Sequence, residues 1–134
     1  MSNVNPPIRI LIADDHPLLR EGVAAVLEQE PDFQLVAEAC DGREAVEQFL
    51  HHLPDVTLMD LEMPGMNTLE LFPILKKDFS KLPVIIVSGH YADLNQEFEN
   101  KGFNYKAFFN KPISVGVLRD KVREILKIDS PQKI

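Results

Sequence analysis

The feature that most constrains the fold is an alternation between two hydrophobic periodicities along the chain. Short runs typical of strands occur at 8–13, 33–39, 55–59, 82–87 and 106–109; the run at 8–13 is rich in β-branched residues, that at 33–39 alternates between apolar and polar residues, and that at 82–87 is the most hydrophobic. Between and after them, apolar residues recur at helical spacing, which predicts helices at about 17–27, 45–53, 67–77, 93–101 and 114–126. Strands that alternate with helices predict right-handed crossovers and therefore an α/β fold, a parallel sheet with helices on both faces.

The length of 134 residues suits one compact domain. We expect this domain to occupy residues 8–128. A short tail at 1–7 precedes it, and residues 129–134 form a second tail or the start of a linker. The polar and proline-containing character of both ends supports these boundaries, because neither end continues the strand or helix pattern.

Composition argues against several classes of function. The net charge is −7, from 21 acidic and 14 basic residues, whereas a nucleic-acid-binding face is usually basic. The apolar runs are far shorter than the ~20 residues that a membrane-spanning helix needs, and the first residues lack the pattern of a signal peptide. The single cysteine, Cys40, cannot form an internal disulfide and is compatible with a reducing compartment. We therefore expect a cytoplasmic protein that contacts neither nucleic acid nor membrane directly.

Polar residues follow four of the five predicted strands at the point where each strand ends. Each has a plain structural explanation when taken alone, such as a turn, a helix cap or a solvated side chain. In open parallel sheets, however, functional groups gather beyond the carboxyl ends of the strands, so these residues are expected to share one shallow cleft. The residues concerned are Asp14, Asp15, Asp60, Ser88 and Lys111.

The chemistry of this set favours a metal ion and a phosphoryl group. Three carboxylates in one cleft would repel one another unless a cation lies between them. Mg²⁺ commonly takes one or two carboxylates and keeps several waters, which leaves room for phosphate oxygens. Lys111 and Ser88 supply an ammonium group and a hydroxyl suited to a phosphoryl group. An aspartate between a metal ion and a lysine can attack phosphorus, which would make Asp60 the acceptor of an aspartyl phosphate.

From about residue 8 to 128 the sequence resembles a response-regulator receiver domain, the phosphoacceptor half of two-component signalling. The segments that carry the resemblance are IADDHP, LMDLEMPGM, IIVSG and FFNKP, whose order and spacing are more specific than any one of them. The opening DDHPLLREGV is similar to receivers of the LuxR/NarL-type DNA-binding regulators. The resemblance implies a flavodoxin-like three-layer sandwich, in which a five-stranded parallel sheet of order 2-1-3-4-5 is combined with five helices.

The resemblance also implies roles for the residues that match the family's motifs. Asp60 would accept phosphate from a histidine kinase or a histidine phosphotransfer protein. Asp15 and Asp60 would bind Mg²⁺, or alternatively Mn²⁺, directly. Asp14 would contribute through water, and the backbone carbonyl of Glu62 would complete the protein ligands.

Further residues are implied to sense the phosphoryl group. Lys111 would pair with it and be joined to Pro112 by a cis peptide. Ser88 would swing toward the phosphate while Phe108 turns inward, which changes the face formed by the fourth helix, the fifth strand and the fifth helix. Receivers form homodimers or meet effectors through that face, and the effector of this chain is not indicated. Glu62 and His90 would tune the lifetime of the phosphoryl group.

Three departures from the family pattern are present. Asn67-Thr68 stands where the family usually has Asp-Gly, which predicts a changed loop beside an intact site. Pro73 falls inside the third predicted helix and would kink it. The segment 102–108 is longer than usual before the Lys-Pro pair, which predicts an altered switch face.

Two alternatives remain open beside the signalling switch. One is an interaction module that keeps the fold without accepting phosphate. The other is a Mg²⁺-dependent phosphatase that works through a phospho-aspartate, but such enzymes place the nucleophile after the first strand. We therefore expect a signalling domain that catalyses only its own phosphorylation and dephosphorylation. The spacing of the histidines, including His16 and the pair His51-His52, is not that of a zinc site.

Overall fold

One parallel sheet organises the chain. The computed structural model describes residues 6–60, 77, 83–88, 107–110 and 114–126. In chain order the elements are β1 Ile8–Ala13, α1 Pro17–Glu28, β2 Phe33–Ala39, α2 Gly42–His52, β3 Val56–Met59, β4 Val84–Ser88, β5 Ala107–Asn110 and α3 Val115–Ile125. The strands lie in the order β2-β1-β3-β4-β5, and every neighbouring pair is parallel.

The five strands and their order agree with the expectation drawn from the sequence. The first, second and fifth predicted helices are confirmed as α1, α2 and α3. Of the third predicted helix only Lys77 is described, and it is helical, whereas the fourth lies outside the described residues. None of the described helices is long and apolar enough to cross a membrane.

Side-chain alternation along β1 explains why helices cover both faces of the sheet. Ile8, Ile10 and Ile12 join a buried cluster with residues of α1 and α3, so these two helices share one face. Leu11 is fully buried as well, and it points to the opposite face because successive side chains alternate in a strand. Helix α2 contacts β1 and β2 and contributes the buried Phe49. The central strands β3 and β4 are accordingly buried at 56–59 and 84–87, as strands covered on both faces are, whereas the edge strand β2 exposes Gln34 and Glu38.

The start of α2 is fixed by a reciprocal cap at the carboxyl end of β2. The side chain of Asp41 accepts a hydrogen bond from the backbone N–H of Glu44 at 2.8 Å, and Glu44 Oε1 accepts one from the N–H of Cys40 at 2.7 Å. Each bond satisfies a backbone donor that a helix start leaves unpaired. The hydrogen bond with Glu44 also raises the pKa of the exposed Cys40 thiol, so Cys40 is a neutral thiol at physiological pH rather than a reactive thiolate.

The end of α2 carries local strain. Leu53 has φ 45° and ψ 64°, the left-handed conformation that a side chain disfavours. Arg9 offsets part of this cost, since its Nη1 donates hydrogen bonds to the carbonyls of His52 at 2.8 Å and Leu53 at 3.2 Å. A cation at this position also interacts favourably with the negative end of the helix dipole. Leu53 itself is 58% exposed and contributes little packing.

Arg123 of α3 ties the amino end of β2 on the face covered by α1 and α3. Its Nε and Nη2 each lie 3.0 Å from an oxygen of Asp32, and Nη2 also donates to Glu30. The guanidinium carbon lies 5.0 Å from the centre of the Phe33 ring. Glu30 and Asp32 lie between α1 and β2, so a single arginine joins α3 to that connection. The hydrogen bonds from Arg123 lower the pKa of Asp32 below its usual value and raise that of Arg123.

Leu53→Gly is expected to raise the free energy of unfolding by about 0.5 kcal/mol, because relief of the left-handed strain exceeds the added entropy of glycine in the unfolded chain. The matched control is Leu50→Gly. Leu50 is similarly exposed, at 53%, but lies inside α2, so this change should lower the free energy of unfolding by about 1 kcal/mol. Urea unfolding followed by circular dichroism measures both values. Equal losses in the two variants would contradict the strain at Leu53.

Arg123→Met is expected to lower the free energy of unfolding by about 1 kcal/mol at pH 7, since it removes the paired hydrogen bonds but keeps the stem over Phe33. Asp32 has a lowered pKa in the folded state, below its usual 3.8. The pair therefore stabilises the fold fully above that pH, and its contribution is lost as the pH falls through the lowered pKa. The difference between wild type and variant should thus shrink in urea titrations carried out below about pH 4.

Lys121→Met is the control for this change. Lys121 lies on the same helix and pairs only with Glu124 of that helix among the contacts described, at 2.9 Å. Its loss should cost less than about 0.5 kcal/mol, as is usual for exposed pairs within a helix. A difference between Arg123→Met and wild type that stays constant from pH 7 to pH 3 would refute the role given to Asp32.

Candidate metal centre

Backbone pairing brings two aspartates to the same edge of the sheet. Ala13 and Met59 are register partners at the ends of β1 and β3, and the chain continues directly into Asp14 and Asp60. The N–H of Asp60 donates to the carbonyl of Ala13 at 2.8 Å, and the N–H of Asp14 donates to that of Ala39 at 2.9 Å. The two carboxylates are therefore positioned by the sheet itself rather than by a flexible loop.

Three carboxylates converge at this edge. Asp14 and Asp60 are 3% and 1% exposed, while the side chain of Asp15 is 31% exposed. One ligand atom from each of these residues, together with one from His16, lies within 4.8 Å of all the others. Like charges at such separations repel strongly where water is scarce, and a divalent cation with oxygen ligands removes that repulsion. The sequence-based prediction that these three carboxylates lie together is confirmed.

A small cavity lies beneath the carboxylates on the side facing α1 and α3. Its volume is about 20 Å³, room for a single water at most. Asp14 and Asp60 border it, and the surface that faces it is almost wholly apolar, shared with residues Ile12, Ala13, Leu19, Val23, Leu58, Val87, Val115 and Leu118. Because this side is apolar, the carboxylates cannot be solvated from below. Any compensating charge must come from the open edge of the sheet.

His16 takes part in the cluster, which the sequence did not reveal. Its backbone N–H donates to Asp14 Oδ1 at 2.8 Å, and its ring Nδ1 lies 2.7 Å from the same oxygen. Nδ1 is also 3.2 Å from Asp15 Oδ1 and 3.8 Å from Asp60 Oδ2. Histidine spacing along the chain carried no signal for this contact. The available signal was its position directly after the acidic pair, in the turn between β1 and α1.

Arg20 is a second contributor that sequence patterns missed. Its Nη1 donates to the backbone carbonyl of Asp14 at 2.6 Å, and its Nε donates to Glu38 at 3.2 Å. Arg20 projects from the first turn of α1, so it ties the turn that follows β1 to both the helix and the end of β2. The effect is to hold the backbone on which Asp14 and Asp15 are placed.

The donor set fits a hard divalent cation. Asp15 Oδ1 is buried and accepts no hydrogen bond from any residue that the structure describes, although the ring of His16 lies nearby. An orphaned carboxylate oxygen is costly unless it is compensated by charge. Mg²⁺ binds such oxygens at short range and completes its shell with water. The residues present therefore match the chemistry that Mg²⁺ requires.

The remaining site residues predicted from the sequence are described in part or not at all. Ser88 is the last residue of β4 and pairs in register with Asn110, the last residue of β5. Its backbone therefore lies at the same edge as Asp60, and Phe108 pairs in register with Ile86 of β4. The rest lie outside the described residues, namely Glu62, His90, Lys111 and Pro112, as do Asn67, Thr68, Pro73 and the segment 102–106.

A second group of potential ligand atoms involves Cys40, Asp41 and Glu44. The carboxylates of Asp41 and Glu44 already serve as acceptors in the cap of α2. This group is explained by the structure of the helix start.

Comparison with known proteins identifies a consistent set of relatives. The family model of the response regulator receiver domain matches residues 10–123. The nitrate/nitrite response regulator protein NarL of Escherichia coli K12 is 43% identical over 96 residues, which cover 70% of this chain and 44% of that protein. The protein-glutamate methylesterase/protein-glutamine glutaminase of Nitrosospira multiformis is 30% identical over 134 residues, 95% of this chain and 38% of that protein.

Among solved structures, the signal receiver domain of the putative response regulator NarL from Mycobacterium tuberculosis superposes with a TM-score of 0.78. It is 30% identical and covers 93% of this chain and 100% of its own. The chain thus spans less than half the length of the two full-length relatives above and corresponds to one whole domain of the solved one.

Asp15→Asn is expected to raise the free energy of unfolding by about 1 kcal/mol without metal, because it removes one of three mutually repelling charges at little change in shape. Added Mg²⁺ should stabilise wild type by about 1.4 kcal/mol at ten times its dissociation constant. The variant should show little of this gain. Thermal unfolding with EDTA and with MgCl₂ measures both effects.

Asp120→Asn is the control for this change, since Asp120 is an exposed carboxylate on α3, away from the cluster. It should behave as wild type both with and without Mg²⁺. An equal Mg²⁺ stabilisation in wild type and Asp15→Asn would mean that the ion is held elsewhere.

Proposed function

The chain belongs to the response regulator receiver domain family of two-component signalling, and we propose that it is a switch phosphorylated on Asp60. The observation that carries this proposal is the convergence of Asp14, Asp15 and Asp60 at the carboxyl edge of the sheet, within 4.8 Å of one another. A receiver needs a carboxylate acceptor beside a cation site, and this arrangement supplies both from residues of rigid strand ends.

Asp60 suits the role of acceptor. Its carboxylate is attached to the buried end of β3, and its backbone is fixed by the hydrogen bond to Ala13. A carboxylate oxygen attacks the phosphorus of a phosphohistidine, the P–N bond breaks, and the imidazole leaves with a proton from solvent. The donor is a histidine kinase or a histidine phosphotransfer protein. Since the protein contributes alignment rather than proton transfer, a rigid acceptor is the main requirement.

The metal is Mg²⁺, with Mn²⁺ as an alternative. Asp15 and Asp60 bind it directly, Asp14 acts through water, and Glu62 adds its backbone carbonyl. When bound, the ion neutralises the carboxylates and the charge of the phosphoryl oxygens. The difference between the two neighbouring acids supports these roles. Asp14 Oδ1 already accepts a hydrogen bond from the backbone N–H of His16 and lies 2.7 Å from its ring Nδ1, whereas Asp15 Oδ1 accepts none from the described residues.

The response to phosphate involves the outer strands β4 and β5 of the sheet. Lys111, joined to Pro112 by a cis peptide, pairs with the phosphoryl group, and Ser88 and Phe108 move toward it. Glu62 and His90 tune its lifetime. The change reaches the face that contains β5 and α3, where a second copy or an effector binds. Support comes from the register of β4 and β5, whose last residues Ser88 and Asn110 are partners at the same edge as Asp60.

The complete domain spans residues 8–128, with tails at 1–7 and 129–134. Two further helices, at about 67–77 and 93–101, bring the total to five. The domain acts in the cytoplasm and modifies only its own aspartate, so it is not an enzyme for external substrates. The net charge of −7 argues against direct nucleic-acid binding by this chain. The output belongs to a partner or to another domain.

Incubation of the wild-type protein with acetyl phosphate and Mg²⁺ is expected to add one labile group of about 80 Da. The adduct should be absent in Asp60→Asn and in EDTA, because the acceptor or the cation is then missing. Intact-protein mass spectrometry measures it, and loss on treatment with hydroxylamine identifies an acyl phosphate.

Asp55→Asn provides the matched control. Asp55 precedes β3 at the end opposite Asp60 and is exposed, so this variant should be labelled as wild type is. An adduct that persists in Asp60→Asn would disprove the assignment of the acceptor. No adduct in any variant would favour a phosphate-independent interaction module, and rapid turnover of phosphate esters would favour a phosphatase.

A further inference from the structure

The ring of His16 lies among the carboxylates of the cation site. Nδ1 is 2.7 Å from Asp14 Oδ1, 3.2 Å from Asp15 Oδ1 and 3.8 Å from Asp60 Oδ2. The side chain is 59% exposed as a whole, yet this nitrogen lies within 4.8 Å of an oxygen of each of the three carboxylates. No other histidine among the described residues belongs to a group of potential metal ligands.

The backbone around His16 fixes this position. His16 is the residue before α1, with φ −97° and ψ 105°, and Pro17 is the first residue of the helix. A proline disfavours the helical region for the residue before it, so His16 is held in the extended conformation. The hydrogen bond from its backbone N–H to Asp14 restricts it further. The imidazole is thus attached to a constrained point rather than to a mobile loop.

The distances match those between ligands of one ion. In an octahedral shell with metal–ligand distances near 2.1 Å, neighbouring ligand atoms are about 3.0 Å apart and opposite ones about 4.2 Å apart. The separations of Nδ1 from the three oxygens are 2.7, 3.2 and 3.8 Å, each within about 0.4 Å of one of these two ligand spacings. An ion shared by the carboxylates would therefore have this nitrogen within its first coordination shell after a small adjustment.

We propose that His16 is a nitrogen ligand of the divalent cation held by Asp14, Asp15 and Asp60, and that it shifts the site's preference from Mg²⁺ toward transition ions. This inference rests on the cation site of the proposed function. Mg²⁺ favours oxygen ligands, whereas imidazole suits Co²⁺, Ni²⁺ and Zn²⁺. On binding, the metal takes the lone pair of Nδ1, and the neutral ring keeps its one proton on Nε2.

The consequence is a site that discriminates among ions by ligand type. Any nitrogen or oxygen site binds the divalent transition ions in the same general order of affinity, so a high Co²⁺ affinity alone does not indicate a nitrogen ligand. The quantity that reports His16 is therefore the ratio of Co²⁺ to Mg²⁺ affinity, compared between wild type and variants. Loss of the imidazole should lower this ratio without removing the carboxylate site.

The test is isothermal titration of untagged, metal-free protein with CoCl₂ and with MgCl₂, at a single pH. His16→Ala and His16→Asn should each lower the Co²⁺ affinity at least about 10-fold, since even groups that only support a ligand are worth that much. Their Mg²⁺ affinity should change less than about 3-fold, because Mg²⁺ gains little from nitrogen. His51→Ala, an exposed histidine on α2, should leave both affinities unchanged.

A spectroscopic readout separates ligation from an indirect effect. In proton–nitrogen spectra of wild type, Zn²⁺ should shift the Nδ1 resonance of His16 and leave the proton on Nε2. An unchanged ratio of Co²⁺ to Mg²⁺ affinity in both His16 variants would overturn the proposal. A Mg²⁺ affinity that rises more than about 10-fold in these variants would also overturn it, because it would show that the imidazole obstructs the site instead of binding the ion. A loss of Co²⁺ affinity in His51→Ala would show that Co²⁺ binds to a surface histidine and not to His16.

The variant Asp15→Asn distinguishes failure of this inference from failure of the cation site. If it loses both ions while the His16 variants keep the wild-type ratio, the cation site is supported and only the role of His16 is wrong. If Asp15→Asn binds both ions as wild type does, the proposed cation site itself is wrong.

Discussion

The repulsion among carboxylates at one edge of the sheet is the constraint on which the site depends. Asp14 and Asp60 cannot separate, because their backbones are bound into the paired ends of β1, β2 and β3. They cannot be solvated from the side of the helices either, since the small cavity there is lined mainly by apolar residues. The folding of the strands therefore forces together charges that only a cation or a positively charged partner can compensate.

The same constraint links the site to the helical layer. Arg20 of α1 donates to the carbonyl of Asp14, and α1 packs against α3 on the same face of the sheet. Arg123 in turn fixes α3 to the connection between α1 and β2. The site is thus connected to α1 and α3 through a continuous set of packed elements. In switches generally, a local change of charge acts through small shifts of packed elements such as these.

Sequence patterns predicted the elements whose signals are local and repeated. Strands β1, β3 and β4 were recognisable because they are largely buried and read as short apolar runs, whereas β2 was recognisable from its alternation of apolar and polar residues. Asp14, Asp15 and Asp60 were recognisable because the sheet rule converts a position in sequence into a position in space. The sequence predicts the second helix from about residue 45, whereas α2 begins at Gly42. Asp41-Gly42 is equally compatible with a turn and with a helix cap.

Features that depend on a single backbone conformation could not be predicted. Leu53 gives no sign of its left-handed conformation, because the residues usual there are glycine and asparagine. Arg123 meets Asp32 across a distance of 91 positions in the chain, and no periodicity encodes such a pair. The contact of His16 with the acids depends on the backbone conformation of the turn between β1 and α1, which the sequence does not indicate. These are the contacts that tertiary packing decides.

The hydrogen bonds of His16 bear on how three similar acids come to differ. Asp14 Oδ1 is engaged by the backbone N–H and the ring of His16, so part of its charge is already balanced within the turn. Asp15 Oδ1 lies beside the same ring without a hydrogen bond from the described residues. Asp60 is the most buried of the three. One residue, placed by Pro17, thereby makes the three acids unequal. Charge balance in the turn leaves the uncompensated oxygen on Asp15, whose Oδ1 is buried although its side chain as a whole is 31% exposed, and a cation bound there would compensate that oxygen.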